Sequence, residues 1–259
     1  MRPLLLVLVI LAAFTASPAP AAADDPAASG AEPVGRVAAV EGKVHATLGA
    51  DTRRVLRGEA VYQGDWIETE KDARAKIVLA DSTELVVGPA SRIHLDEFVY
   101  DPGKKKGKVL VEMGVGLLRF TSGTLEPGSY QVNTPVASIG VRGTIFDTIV
   151  AALELASTAI LRQGKVGVKG TSATVVLDQE DHASTVERLG AEPEPQRPAT
   201  DEEEEITEPL KKPFKDELPF RPNIPVQRPT LDPSQHVPST PSVPSQPNIP
   251  QNIPRGPRY

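Results

Sequence analysis

Short runs of alternating apolar and polar residues, separated by turn residues, limit most strongly what this chain can fold into. They occupy residues 76–79, 84–87, 92–98, 108–113, 115–120 and 165–168, with Gly42, Gly64, Gly88, Gly107, Gly114, Gly123, Gly128 and Gly164 between or beside them. A period of two sends successive side chains to opposite faces of a strand. Many short strands with regular turn signals therefore predict an all-β fold, an antiparallel sandwich or barrel-like roll. Residues 151–161 compete with that reading, because their Ala, Leu and Glu content favours helix. The interval is short and its flanks are β-like, so a turn followed by a strand is expected there.

Composition divides the chain around this β-rich body. Arg2, the apolar run 4–13 and Ala21-Ala22-Ala23 before Asp24 have the layout of a signal peptide over residues 1–23. The apolar run is too short for a bilayer core of about 30 Å. The expected product is exported to the periplasm, the cell envelope or beyond, with no transmembrane segment after cleavage. Residues 24–33 form a leader with little to bury, residues 34–189 form the domain, and residues 190–259 are rich in proline. The acidic block Asp201-Glu202-Glu203-Glu204-Glu205 and the sparse apolar residues of that last segment predict disorder or extended polyproline structure. Within it, Asn-Ile-Pro occurs three times, at 223–225, 248–250 and 252–254.

Residues 134–146 read Thr-Pro-Val-Ala-Ser-Ile-Gly-Val-Arg-Gly-Thr-Ile-Phe. This stretch resembles the signature of the FecR domain, which carries a Gly-Val-Arg-Gly-Thr run after a Thr-Pro pair. Three upstream segments extend the resemblance: 34–44 is similar to the family's opening hairpin, 56–69 to its Gly-Asp turn and next strand, and 73–91 to its central hairpin. Ser82 stands where that hairpin usually has glycine. The resemblance implies a β-rich periplasmic module of the kind that, in FecR-type regulators, passes signals from an outer-membrane transporter towards a sigma factor. The chain departs from that arrangement in its expected leader, in lacking an internal membrane helix, and in its proline-rich end.

Enzymatic chemistry finds few candidates. There are no cysteines among the 259 residues, which removes thiol catalysis, disulfides and thiolate metal sites. No Gly-x-Ser-x-Gly, His-Glu-x-x-His, calcium-loop or P-loop pattern occurs. The four histidines, His45, His94, His182 and His236, are scattered. Asp178-Gln179-Glu180-Asp181-His182 reads as a solvated turn. Asp96 and Glu97, adjacent on a strand, point to opposite faces and cannot share one substrate. No catalytic, cofactor-binding or metal residue is expected, and the net charge of -6 argues against nucleic acid as a partner.

Two residue readings remain. Trp66, the single tryptophan, is expected to anchor the core, with sugar stacking open only to an exposed ring. Arg142, between Gly140 and Gly143 and followed by Thr144, is the candidate structural or recognition group. Its expected place is the interior, paired with a carboxylate such as Asp147, while the glycines allow bends or close packing. The function expected is non-enzymatic: an exported protein-interaction or signalling module, with an unknown envelope protein or a wall polymer as partner. The alternative is a cell-wall or polysaccharide-associated structural protein with a proline-rich spacer.

Overall fold

The computed structural model describes residues 33–153 and 155–219, so the expected signal peptide and the three Asn-Ile-Pro motifs lie outside the described residues. Strands are numbered in chain order. One layer runs β3 (Asp51–Arg54), β2 (Val44–Leu48), β5 (Trp66–Thr69), β8 (Arg92–Asp101) and the first half of β9 (Lys106–Thr121). It continues through β10 (Tyr130–Asn133), the first half of β11 (Ser138–Val150), the second half of β12 (Ser157–Lys169) and β13 (Thr174–Leu177). The other runs β4 (Ala60–Tyr62), β1 (Pro33–Glu41), β6 (Arg74–Leu79), β7 (Glu84–Val87) and the second half of β9. The second half of β11, the first half of β12, β14 (His182–Val186) and β15 (Arg197–Pro198) complete it. All pairings are antiparallel except β9 with β10. Inner residues of both layers, such as Ile67, Ile93, Val111, Ile77, Leu85, Phe120 and Phe146, belong to one core cluster. The fold is thus the expected all-β roll, made from one sheet folded over on three shared strands.

The parallel pair makes the fold-over obligatory. Tyr130 pairs with Val109, yet only eight residues link it to Thr121 at the far end of β9. A straight strand would put Val109 and Thr121 about 40 Å apart, beyond the roughly 32 Å that the link can span. So β9 must bend. It does so at Gly116, whose φ of +100° suits glycine alone, and where an added Cβ would lie 2.5 Å from the Ser91 Cα. The Ser91 hydroxyl accepts the Leu117 N–H at 2.7 Å and donates to the Pro89 carbonyl at 2.9 Å, holding the corner where β9 changes partner from β8 to β7.

The hairpin between β6 and β7 keeps a left-handed turn without its usual glycine. Ser82 has φ +73°. Asp81, fully buried, accepts from the Thr83 amide at 3.0 Å, the Thr83 hydroxyl at 2.7 Å and the Tyr130 hydroxyl at 3.0 Å, which ties the turn to β10.

Residues 190–219 correct the expectation of disorder from residue 190. Helix α1 (Asp201–Lys211) begins with a capping box: the Thr200 hydroxyl accepts the Glu203 N–H at 3.2 Å, and the Glu203 carboxylate accepts the Thr200 N–H at 2.8 Å. The acidic block is its first turn, where carboxylates favour the helix dipole rather than merely repelling one another. Arg197 and Arg162 pair with Glu203 and Glu204. At the other end the Arg74 guanidinium donates to the carbonyls of Pro209, Lys212 and Pro213 at 2.9, 2.6 and 2.7 Å. Leu210 packs on Val86 and Leu117, and the Leu218 N–H reaches the Ala38 carbonyl at 2.9 Å. The segment is a strap across the outer face of the second layer. Individual propensity missed it because its partners lie on distant strands.

Replacing Ser82 by Gly removes the left-handed strain and is expected to raise unfolding free energy by about 0.5–1 kcal/mol, after allowance for glycine's greater chain entropy; urea denaturation measures it. The strap also has a pH signature. Burial pushes the Glu204 carboxyl up, but hydrogen bonds from Arg162 and Lys211 outweigh it and hold it below the ordinary range. A depressed carboxyl contributes fully above the ordinary Glu value of about 4.3 and loses that contribution as pH falls through the folded-state value. Melting temperature should therefore fall below that range, and Glu204→Gln should flatten the fall while lowering the neutral-pH value by about 2–4 °C.

Candidate binding surface

The sheet's two outer faces have different fates. Over the second layer, Val86, Leu117 and Ile149 lie beneath Leu210 and Phe214 of the strap. Beside them Asp147, fully buried, receives Arg119 through Nε at 2.7 Å and a terminal nitrogen at 2.8 Å, and Arg162 Nε at 2.7 Å. Arg162 also donates to Asp181 and to the Thr207 hydroxyl of α1. Burial works against its charge, but the hydrogen bonds it donates to Glu204, Asp147 and Asp181 overcome that and raise its pKa further. The cleft beside α1, lined by Arg119, Arg162, Asp181, His182, Glu204 and Lys211, is therefore filled with cations already matched to anions.

The first layer leaves its outer face uncovered by the strap. Directly paired residues of a sheet share a face, so the registers align one row across nine strands: Thr52, Thr47, Trp66, His94, Glu112, Asn133, Ser138, Lys169 and Thr174. At about 4.8 Å per strand the row is roughly 38 Å long. Its members are joined laterally. The Thr47 and Thr52 hydroxyls are 2.9 Å apart, and the Ser138 hydroxyl donates to the Asn133 Oδ1 at 3.0 Å. His94 Nδ1 is 3.2 Å from Glu112 Oε2. Beside it runs a second row, Arg54, His45, Glu68 and Arg92, in which Arg92 meets Glu68 at 3.0 Å.

Trp66 belongs to this outer face, which corrects its expected place in the core. The ring is half-buried and stacks on His94 with centroids 4.4 Å apart and planes 13° from parallel. The Arg92 guanidinium carbon lies 4.2 Å from its centroid. Alternation around β5 points Ile67 inward, and Trp66 necessarily points out.

Arg142 is exposed, not interior, and Asp147 is satisfied by Arg119 and Arg162 instead. Arg142 lies on the open side of β11 opposite Lys165, two positions from Gly140, where an added Cβ would meet nothing within 4 Å. Close packing occurs one strand away: at Gly164 a Cβ would come 2.4 Å from the Gly143 carbonyl oxygen. Gly143 takes φ +62° where β11 shifts register against β12. Thr144, 2% exposed, secures this shift, its hydroxyl donating to the Lys165 carbonyl at 2.7 Å and its N–H donating to Ser122 Oγ at 2.8 Å. The signature stretch is the point at which β11 passes from one layer to the other. Gly140 and Arg142 share the face of the polar row; Gly143 and Thr144 shape the backbone.

Sequence reasoning missed Glu112, Asn133 and Ser138 and set His94 aside. Their outward positions are readable from alternation. Their adjacency depends on strand order, which alternation does not encode.

Residues 65–167 match the family model described as FecR protein. Two crystal structures of a candidate anti-sigma factor from Parabacteroides distasonis are similar to the chain, at 18% and 20% identity, each with a TM-score of 0.42. Each alignment covers 52% of this chain and 59% of the solved one, so the chain spans under two thirds of those relatives. No curated protein matches it.

Arg142→Ala should leave unfolding free energy within about 0.5 kcal/mol of the parent, as at an exposed site. Asp147→Ala strands Arg119, takes one of its three carboxylates from Arg162, and should cost about 3–5 kcal/mol. Urea titration of both variants checks the pair.

Proposed function

We propose that this chain, whose residues 65–167 match the family model described as FecR protein, is a non-enzymatic, exported signalling module that binds an envelope protein through the open face of its first layer. The observation that carries the reading is the polar row across nine strands, left clear by a strap that covers the opposite side. Such a face has the ordered hydroxyl, amide and charged groups of an interface and a scaffold of paired strands that holds them in place. Its groups are also spaced over a length that matches a specific interface of ordinary size. Export rests on residues 1–23, and a mature terminus at Asp24 would support it.

A second reading, attachment to a wall polymer, is favoured by one observation: Trp66 sits half-exposed beside the Thr47 and Thr52 hydroxyls. Rings in such settings serve sugars, although here His94 and Arg92 already lie against the ring.

Photo-cross-linking in cells separates the two. A photoreactive residue at Ser138 or Thr47 of the full chain should capture a protein, and Ser138→Arg should abolish capture by another position on the face without lowering the melting temperature. Capture only from positions beyond residue 219 would overturn the assignment to this face. Retention on isolated sacculi that is lost in Trp66→Ala would favour the polymer.

A further inference from the structure

We infer that His94, Asp96 and Glu112 form a binding site for a divalent transition-metal ion on the open face. The three donors come from two neighbouring strands. His94 and Glu112 are directly opposite in register, and Asp96 sits where β8 slips register against β9 between Leu95 and Glu97, a bulge that leaves Asp96 and Glu97 both partly exposed rather than on opposite faces and brings Asp96 to His94. His94 Nδ1 lies 3.2 Å from Glu112 Oε2 and 3.8 Å from Asp96 Oδ1, and the ligand atoms all fall within 4.8 Å of one another. Ligands about 2.1 Å from a zinc ion are about 3.4 Å apart at tetrahedral angles. The present spacing reaches that with side-chain rotation alone, because Asp96 and Glu112 are partly exposed.

Charge supplies the second argument. Two carboxylates converge on one imidazole, and among the described residues neither has a lysine or arginine ion partner. The neighbouring cations are committed elsewhere, Lys108 to Glu97 and Arg92 to Glu68. Two carboxylates and an imidazole whose Nδ1 gives up its proton to the metal, the other ring nitrogen taking it up, are the donor set that suits zinc, cobalt or nickel rather than calcium or magnesium. The imidazole is also oriented in advance by its stack on Trp66. Three protein ligands leave a coordination position open towards solvent, as in a site that takes a further ligand. The inference stands apart from the proposed partner: the metal is read out with purified protein alone.

Trp66 makes the test direct, being the single tryptophan and lying against the ligand ring. Metal-stripped full-length protein titrated with Ni2+ or Co2+ should show saturable quenching of Trp66 fluorescence, reversed by Zn2+ in competition. Calorimetry with Zn2+ should give one site per chain. Asp96→Asn and Glu112→Gln keep side-chain shape and should each weaken binding at least tenfold. His94→Gln should abolish it, and His182→Ala, in the other acid–histidine cluster, should leave it unchanged. Absence of saturable quenching at millimolar metal overturns the inference. Quenching that survives Asp96→Asn and Glu112→Gln together overturns it equally, by assigning the signal to non-specific surface binding.

Discussion

Everything in this molecule depends on a bend shared by three strands. β9, β11 and β12 each serve both layers, and each turns where a glycine takes a left-handed backbone: Gly116, Gly143 and Gly164. The corner is close-packed. A side chain at Gly116 would meet Ser91, and one at Gly164 would meet the backbone of Gly143. Because the same strands carry both layers, one core forms between them, and Phe120 and Phe146 stack within it with centroids 5.4 Å apart. The parallel pairing of β10 with β9 is a consequence, since it is reachable only when β9 is bent.

The bend also separates the outer surface into two territories. On the second layer, Asp147 is buried on the outward side of its strand, an arrangement that survives only because two arginines and the strap enclose it. The strap's acidic helix is in turn held by Arg162, Arg197 and Arg74, so charge on the sheet and charge on the helix are stable only together. On the first layer no such cover lies over the polar row among the described residues. Its half-buried Trp66, His94 and Glu112 support one another laterally, which keeps a polar face ordered and available for recognition.

Much of the strand content was legible. Alternation marked the strands at 76–79, 84–87, 92–98 and 165–168, and the turn-plus-strand reading of 151–161 agrees with the turn before β12 at Ser157. The two bursts at 108–113 and 115–120 proved to be parts of one strand, bent at Gly116 rather than interrupted by a turn at Gly114. Trp66 and Arg142 were misplaced for a common reason: size and charge indicate what a side chain needs, whereas the pleat decides which side it occupies. The helix at Asp201–Lys211 was hidden because a run of acids reads as repulsion until distant arginines are brought to it.

By itself the sequence determined the all-β class, the strand positions, the FecR resemblance and the absence of thiol chemistry, because these follow from local period, motif order and residue inventory. Tertiary structure alone decided which strands are neighbours. That choice placed Glu112 opposite His94, set Arg119 and Arg162 on Asp147, and turned residues 190–219 from an expected tail into a strap. The physical reason is that each of these contacts joins groups on different elements, 15 residues apart or more, and a single strand's pattern specifies its faces but not its partners.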